Sequence, residues 1–170
     1  FGQGSSMTAY QIIRAYSAFA NDGKYVEPYF VEKIVDSQTK DTLYQAKTKY
    51  SKQIYSHEAI AQMKDLMSGV LNIEGSTGYA YHMDDIHLIG KTGTGQVAKD
   101  GAYMSNYYTH SFAGLAPYDD PQIVIVSWFQ APMGSSKAPA EMIAAVVRTA
   151  LNKLNSQPAK EVETSTYTLD

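Results

Sequence analysis

The sequence predicts an α+β fold, an antiparallel sheet flanked by helices. Two observations carry this. Three β-patterned segments, residues 86–95, 107–115 and 123–129, follow one another through short links, which favours antiparallel pairing. Three stretches, following Thr8, over 56–71 and over 138–154, repeat apolar residues at helical spacing. The last of these helices is placed to cover one face of the sheet. At 170 residues, with 44% hydrophobic and 18% charged residues, the chain has the make-up of one folded domain.

The first helix begins at Thr8, an N-cap with Gln11 as its reciprocal partner three positions on. Ile12, Ile13, Tyr16 and Phe19 form its apolar stripe, and Asn21-Asp22-Gly23 supplies residues that tolerate left-handed geometry at its end. Residues 25–35 and 42–46 are predicted strands around a polar turn at 36–41. Pro28 marks the first as an edge or late-starting strand. Ser56 caps the second helix, whose stripe of Ile60, Met63, Leu66, Met67 and Val70 is assigned to core packing. Residues 74–85 are a loop rich in glycine and tyrosine. In the segment 123–129 both alternating faces are largely apolar, which predicts a central strand covered on each side. The last helix carries Met142, Ile143, Val146, Val147 and Leu151, and periodicity is lost from Ser156 on. The expected organisation is one domain over 1–155 and a flexible tail over 156–170.

Composition excludes several functions. A net charge of −3 gives no electrostatic basis for binding nucleic acid. The absence of cysteine removes disulfides, thiol nucleophiles and cysteine zinc sites. His57-Glu58 opens like a zinc-protease helix, but position 61 is Ala61 and no metal site follows. No cofactor is indicated. No apolar run is long enough to span a bilayer.

The segment with the most chemistry is Gly90-Lys91-Thr92-Gly93-Thr94-Gly95-Gln96, which follows the apolar approach Ile86-His87-Leu88-Ile89. Lys91 offers positive charge, Thr92 and Thr94 offer hydroxyls, and Gly93 removes a side chain that would obstruct a ligand lying along the strand. Such a segment suits an anionic, peptide-like substrate. A phosphate-binding P-loop would need glycine five positions before Gly90, where Asp85 stands. Two readings then remain for the bare motif: the Lys-Thr-Gly element of penicillin-interacting serine enzymes and a tight turn with a chance lysine.

The flanks decide between them. Phe1-Gly2-Gln3-Gly4, the run from Thr8 to Gln11, Ala18-Phe19-Ala20-Asn21-Asp22-Gly23, the Gly90–Gln96 segment and Ser111-Phe112-Ala113-Gly114-Leu115-Ala116-Pro117 occur in one order. Together they resemble the C-terminal half of penicillin-binding protein transpeptidase domains, over roughly residues 1–155. The monofunctional class B type is the most similar. The fold implied is a partial serine β-lactamase/penicillin-binding transpeptidase fold. The activity implied is a D,D-transpeptidase that cross-links peptidoglycan stem peptides through a serine acyl-enzyme and is acylated by β-lactams. By this resemblance Lys91 supplies positive potential and hydrogen bonding near the substrate carboxylate. The hydroxyls of Thr92 and Thr94 bind that carboxylate, and Gly93 lets the ligand lie against the strand. The backbone N–H of Thr94 is one of two oxyanion-hole donors, worth about 3 kcal/mol of barrier where such a donor has been removed.

The same resemblance implies stem peptides, β-lactams, the N-terminal remainder of the same protein and cell-wall synthesis or divisome proteins as partners. It implies a place on the extracytoplasmic face of the bacterial membrane, anchored through an N-terminal segment. The family's nucleophile motif is Ser-x-x-Lys and its second motif Ser-x-Asn. Ser-x-Asn is absent here, and the one formal Ser-x-x-Lys, Ser37 to Lys40, lies in the predicted turn about fifty positions before Lys91. The chain also lacks an initiator methionine. It is therefore expected to be a piece whose serine, lysine and asparagine lie upstream, inert alone towards penicillin and prone to self-association through uncovered apolar surface. A β-lactam-sensing receptor domain and a serine β-lactamase are the alternatives. Lesser candidates for the cleft are His110 with Ser111, the groove-edge tyrosines Tyr79, Tyr81 and Tyr103, and a mobile loop over 101–108.

Overall fold

The computed structural model describes residues 6–132, 137–155 and 165–166. The Phe1–Gly4 match and most of the 156–170 tail lie outside these residues; Ser165–Thr166 pairs in parallel with Lys49–Tyr50. Helix α1 spans Ala9–Ala20, α2 His57–Asn72 and α3 Lys137–Asn155. The strands are β1 Lys33–Val35, β2 Thr42–Gln45, β3 Lys49–Tyr50, β4 Ile89–Lys99, β5 Ala102–Ala116, β6 Ile123–Pro132 and β7 Ser165–Thr166.

The helix starts follow their caps. Thr8 N–H donates to Gln11 Oε1 at 2.8 Å while Gln11 N–H donates to Thr8 Oγ1 at 3.3 Å, a complete capping box. Asp22 and Gly23 have φ of 52° and 93°, so the chain leaves α1 through left-handed backbone. At α2, Ser56 Oγ accepts from Ala59 N–H at 3.2 Å.

β4, β5 and β6 form an antiparallel sheet in that order. Ile89, Leu115 and Val124 are in register and pack with Tyr16 and Phe19 of α1 and Met67 of α2. On the opposite face, Phe112, Ile123 and Ile125 pack with Ile143, Val147 and Leu151 of α3. Helices therefore cover both faces, with α3 on one of them as expected.

Four expectations need correction. Residues 25–35 are not one strand: Val26 makes a single bridge to Tyr50, and only Lys33–Val35 pairs with β2. Pro28, with no N–H to donate, sits in the gap. Residues 101–108 are not a loop. The Asp100-Gly101 turn, with φ of 52° and 80°, joins β4 directly to β5, and pairing begins at Lys99 and Ala102. Two consecutive positive φ values give the turn whose twist matches a two-residue hairpin. β6 is not central: it is the outer strand of the described sheet, with β5 in the middle. Its two apolar faces report the helices above and below, not its rank in the sheet. Finally, the α2 stripe is only partly core. Ile60 and Met67 are buried, whereas Met63 and Leu66 are exposed.

Candidate active site

The sequence around Lys91 is strand because its neighbours hold it flat against β5. Lys91 lies opposite Ala113, Thr92 opposite Phe112, Gly93 opposite Ser111 and Thr94 opposite His110. Opposed residues in an antiparallel pair share a face. Thr92, Thr94, His110 and Phe112 thus face α3, while Lys91, Gly93 and Ser111 share the face of Ile89 and Leu115.

Three glycines fix how closely the strands approach. A Cβ on Gly114 would lie 2.5 Å from Ile89 O and 2.7 Å from Phe112 Cζ, and one on Gly90 would lie 3.0 Å from the same Cζ. The Phe112 ring therefore lies across both glycines. It is buried and stacked on Tyr81, centroids 4.6 Å apart and planes 9° apart. A Cβ on Gly93 would meet Ser111 Oγ at 2.5 Å. Gly93 thus makes room for the Ser111 hydroxyl as well as for anything lying along the strand.

Lys91 is exposed, and its Nζ donates to Thr92 O at 2.6 Å. Thr92 is half-buried and Thr94 exposed. Both line a small pocket of about 100 Å³ with Thr77, Tyr81, His110 and Phe129. A larger groove of about 340 Å³ lies among Glu27, Tyr29, Tyr44 and Lys47, and it contains none of the Lys-Thr-Gly residues. Size is outweighed by chemistry here: only the smaller pocket joins hydroxyls, an imidazole and an open strand.

His110 stacks on Phe129, centroids 5.1 Å apart, and its Nε2 is buried with no hydrogen-bond partner among the described residues. Burial pushes the Tyr81 phenol up, so it remains a neutral hydroxyl in the ordinary pH range. The other lesser candidates are placed elsewhere. Tyr103 is exposed far along the hairpin, and Tyr79 stacks on His82. His87 stacks on Tyr118 and shares a hydrogen bond with Ser68 Oγ at 2.8 Å. His57 opens α2 and pairs with Asp22. Ser37 to Lys40 is an exposed turn in which Lys40 Nζ bonds Ser37 O at 2.8 Å, so this pair does not enter the site. Asp85, whose position argued against a phosphate loop, is held by Arg148 of α3 through Nε–Oδ2 and Nη2–Oδ1 bonds of 2.7 and 2.8 Å. The hydrogen bond from Arg148 holds its carboxyl below the usual carboxylate range.

A strand with this motif, edged by a polar pocket, is a feature that known families can be compared for. The family model described as penicillin binding protein transpeptidase domain matches residues 1–148. The chain belongs to that family. Among its relatives, stage V sporulation protein D of Bacillus subtilis is 34% identical over 164 residues, 94% of this chain and 25% of its own length. The probable peptidoglycan D,D-transpeptidase PenA of Neisseria gonorrhoeae is 29% identical over 132 residues, 78% of this chain and 20% of its own. The chain thus spans a quarter or less of these curated relatives. Crystal structures of penicillin-binding protein 3 from Mycobacterium tuberculosis superimpose with a TM-score of 0.77 in the apo form, at 24% identity over 94% of this chain and 38% of that one. The ampicillin complex gives 0.72, at 26% identity over 89% and 36%. The transpeptidase fold is the one expected, an antiparallel sheet between helices.

Proposed function

We propose that residues 1–155 are the C-terminal part of a transpeptidase domain in a peptidoglycan D,D-transpeptidase. In this reading the chain supplies the substrate-binding strand of a serine acyl-transfer site. The observation that carries it is the Lys91–Thr94 strand bordering a polar pocket, in a chain matched by the transpeptidase family over 1–148. Thr92 and Thr94 hydroxyls hold the carboxylate of a stem peptide or a β-lactam. Lys91 adds positive potential beside it, and Gly93 leaves the strand clear. The Thr94 N–H faces the developing oxyanion, where a fixed donor acts on charge that appears only in the transition state.

The serine that attacks the carbonyl, and the groups that take its proton, come from a part of the full-length polypeptide outside these residues. Support for this is the absence of Ser-x-Asn and the placing of the only Ser-x-x-Lys in an exposed turn. The acyl-enzyme passes to an amine of a neighbouring strand, with β-lactams diverting the same step. Among the described residues no helix is long and apolar enough to cross a membrane. The reading assigns anchoring on the extracytoplasmic face to a segment outside this chain, where other cell-wall synthesis proteins are its partners.

The test is a labelled penicillin offered to the full-length protein and to this chain alone. Full-length protein should form a long-lived ester, and the isolated chain should form none. A stable adduct on the isolated chain would overturn the division of labour. Rapid turnover by the full-length protein would replace the transpeptidase with a β-lactamase.

A further inference from the structure

We propose that His110 is a specificity-determining residue that makes a third contact to the ligand carboxylate held by Thr92 and Thr94. The assignment rests on the transpeptidase reading and deepens it, since neither the motif nor the family match gives His110 a role.

Three observations converge on it. His110 is in register with Thr94 across the β4–β5 pair, so the imidazole and the Thr94 side chain rise from the same face of adjacent strands. Both residues border the same 100 Å³ pocket, with Thr92. The His110 Nε2 is buried and has no hydrogen-bond partner among the described residues, although a buried ring nitrogen left unpaired is costly. The ring stacks on Phe129 with planes 14° apart, which sets the plane it keeps at the pocket wall. Beside it lie Tyr108, at a ring distance of 6.3 Å, and Thr92 and Thr94 as lining residues of the same pocket. No carboxylate lines the pocket to compete with an incoming anion.

A ligand carboxylate lying against Thr92 and Thr94 completes this arrangement. One oxygen accepts from the threonine hydroxyls, and a small turn of the His110 ring towards the pocket lets the other accept from Nε2–H. A carboxylate carries enough lone pairs to accept from all three. The site then selects acids over their neutral esters, and the selectivity comes from β5 as well as from the Lys-Thr-Gly strand.

The experiment uses the full-length protein, a fluorescent penicillin with its free carboxylate, and the methyl ester of the same compound. His110→Phe keeps an aromatic ring to stack on Phe129 and removes the donor; His110→Gln restores a donor. The expected result is that His110→Phe slows acylation by the free acid about tenfold, the worth of one hydrogen bond to a charged group. Acylation by the ester stays unchanged, and His110→Gln recovers most of the preference for the acid. Equal loss with both probes, or loss with neither, overturns the assignment while the transpeptidase reading stands. A wild-type protein that takes up neither probe overturns both.

Discussion

Gly114→Ala tests how the sheet positions the Lys-Thr-Gly strand. The added methyl would lie 2.5 Å from Ile89 O, 2.7 Å from Phe112 Cζ and 2.9 Å from Phe112 Cε1. Ordinary carbon contacts begin near 3.4 Å, so the neighbours must yield by roughly 0.5–1 Å. Neither can do so cheaply. Ile89 O belongs to the backbone of β4, two residues before Lys91, and Phe112 is pinned between the glycines and the Tyr81 ring. Overpacking of this kind costs about 1–3 kcal/mol, and a backbone obstacle places this case near 2 kcal/mol. In a domain of about 150–250 residues that would lower Tm by about 4–8 °C, and in the larger whole transpeptidase domain by about 2–4 °C. The assay is thermal unfolding of the full-length protein, following the transition that moves when penicillin is added. Because the relief pushes β4 away from β5, acylation should slow as well. Gly69→Ala is the contrasting case. Its methyl meets only Ile73 Cδ1, at 3.4 Å, in the last turn of α2, so it should stabilise by about 0.5 kcal/mol. If Gly114→Ala melts with the wild type and acylates at the same rate, the close packing derived for Gly90, Gly114 and Phe112 is wrong.

Other outcomes follow from exposed surface, charge and turn chemistry. The isolated chain should self-associate, because Met63 and Leu66 on α2 and Met142, Val146 and Leu154 on α3 are exposed; a monodisperse monomer in light scattering would refute this. The Asp85 carboxyl titrates below its usual value because Arg148 donates to it. Its contribution is therefore complete above the unfolded carboxylate range, near pH 4, and is lost as pH falls through the lower folded value. Arg148→Gln should lower stability at neutral pH, by a small amount for so exposed a pair, and flatten that acid dependence. Gly101→Val forces a β-branched residue into a backbone with φ of 80° and should destabilise the β4–β5 hairpin, lowering the same penicillin-responsive melting transition.

The helices and the site strand were legible in the sequence because their signals are local. Thr8 with Gln11 and Ser56 with Ala59 place two helix starts, and the apolar approach to Gly90 places the strand. The β4–β5 hairpin also has a local signal, the two-residue turn pair Asp100-Gly101, but it stands among polar neighbours that carry no strand alternation. Pro28 marks an edge in the sequence, and in the fold it separates the Val26 bridge from the Lys33–Val35 strand. The position of β6 could not be inferred, since apolar residues on both faces describe what lies above and below a strand and not beside it. Met63 and Leu66 share a period with Ile60 and Met67, and periodicity cannot tell which part of a broad stripe finds a partner. At the site, the motif exposed Lys91, Thr92 and Thr94. Ser111 behind Gly93, the Phe112 wedge and the pocket shared with His110 depend on cross-strand register, which no local signal carries.

The central claim is that Thr92 and Thr94 hold the ligand carboxylate for attack by a serine elsewhere in the polypeptide. It is tested most directly by the acylation rate of full-length Thr92→Val, Thr94→Val and the double variant with a labelled penicillin. Valine keeps the shape and β-branching while removing each hydroxyl. The account predicts a loss of about tenfold for each single change and more for the double, with the adduct mapping to a serine outside residues 1–170. Undiminished acylation of the double variant, or an adduct on a serine of this chain, would contradict it.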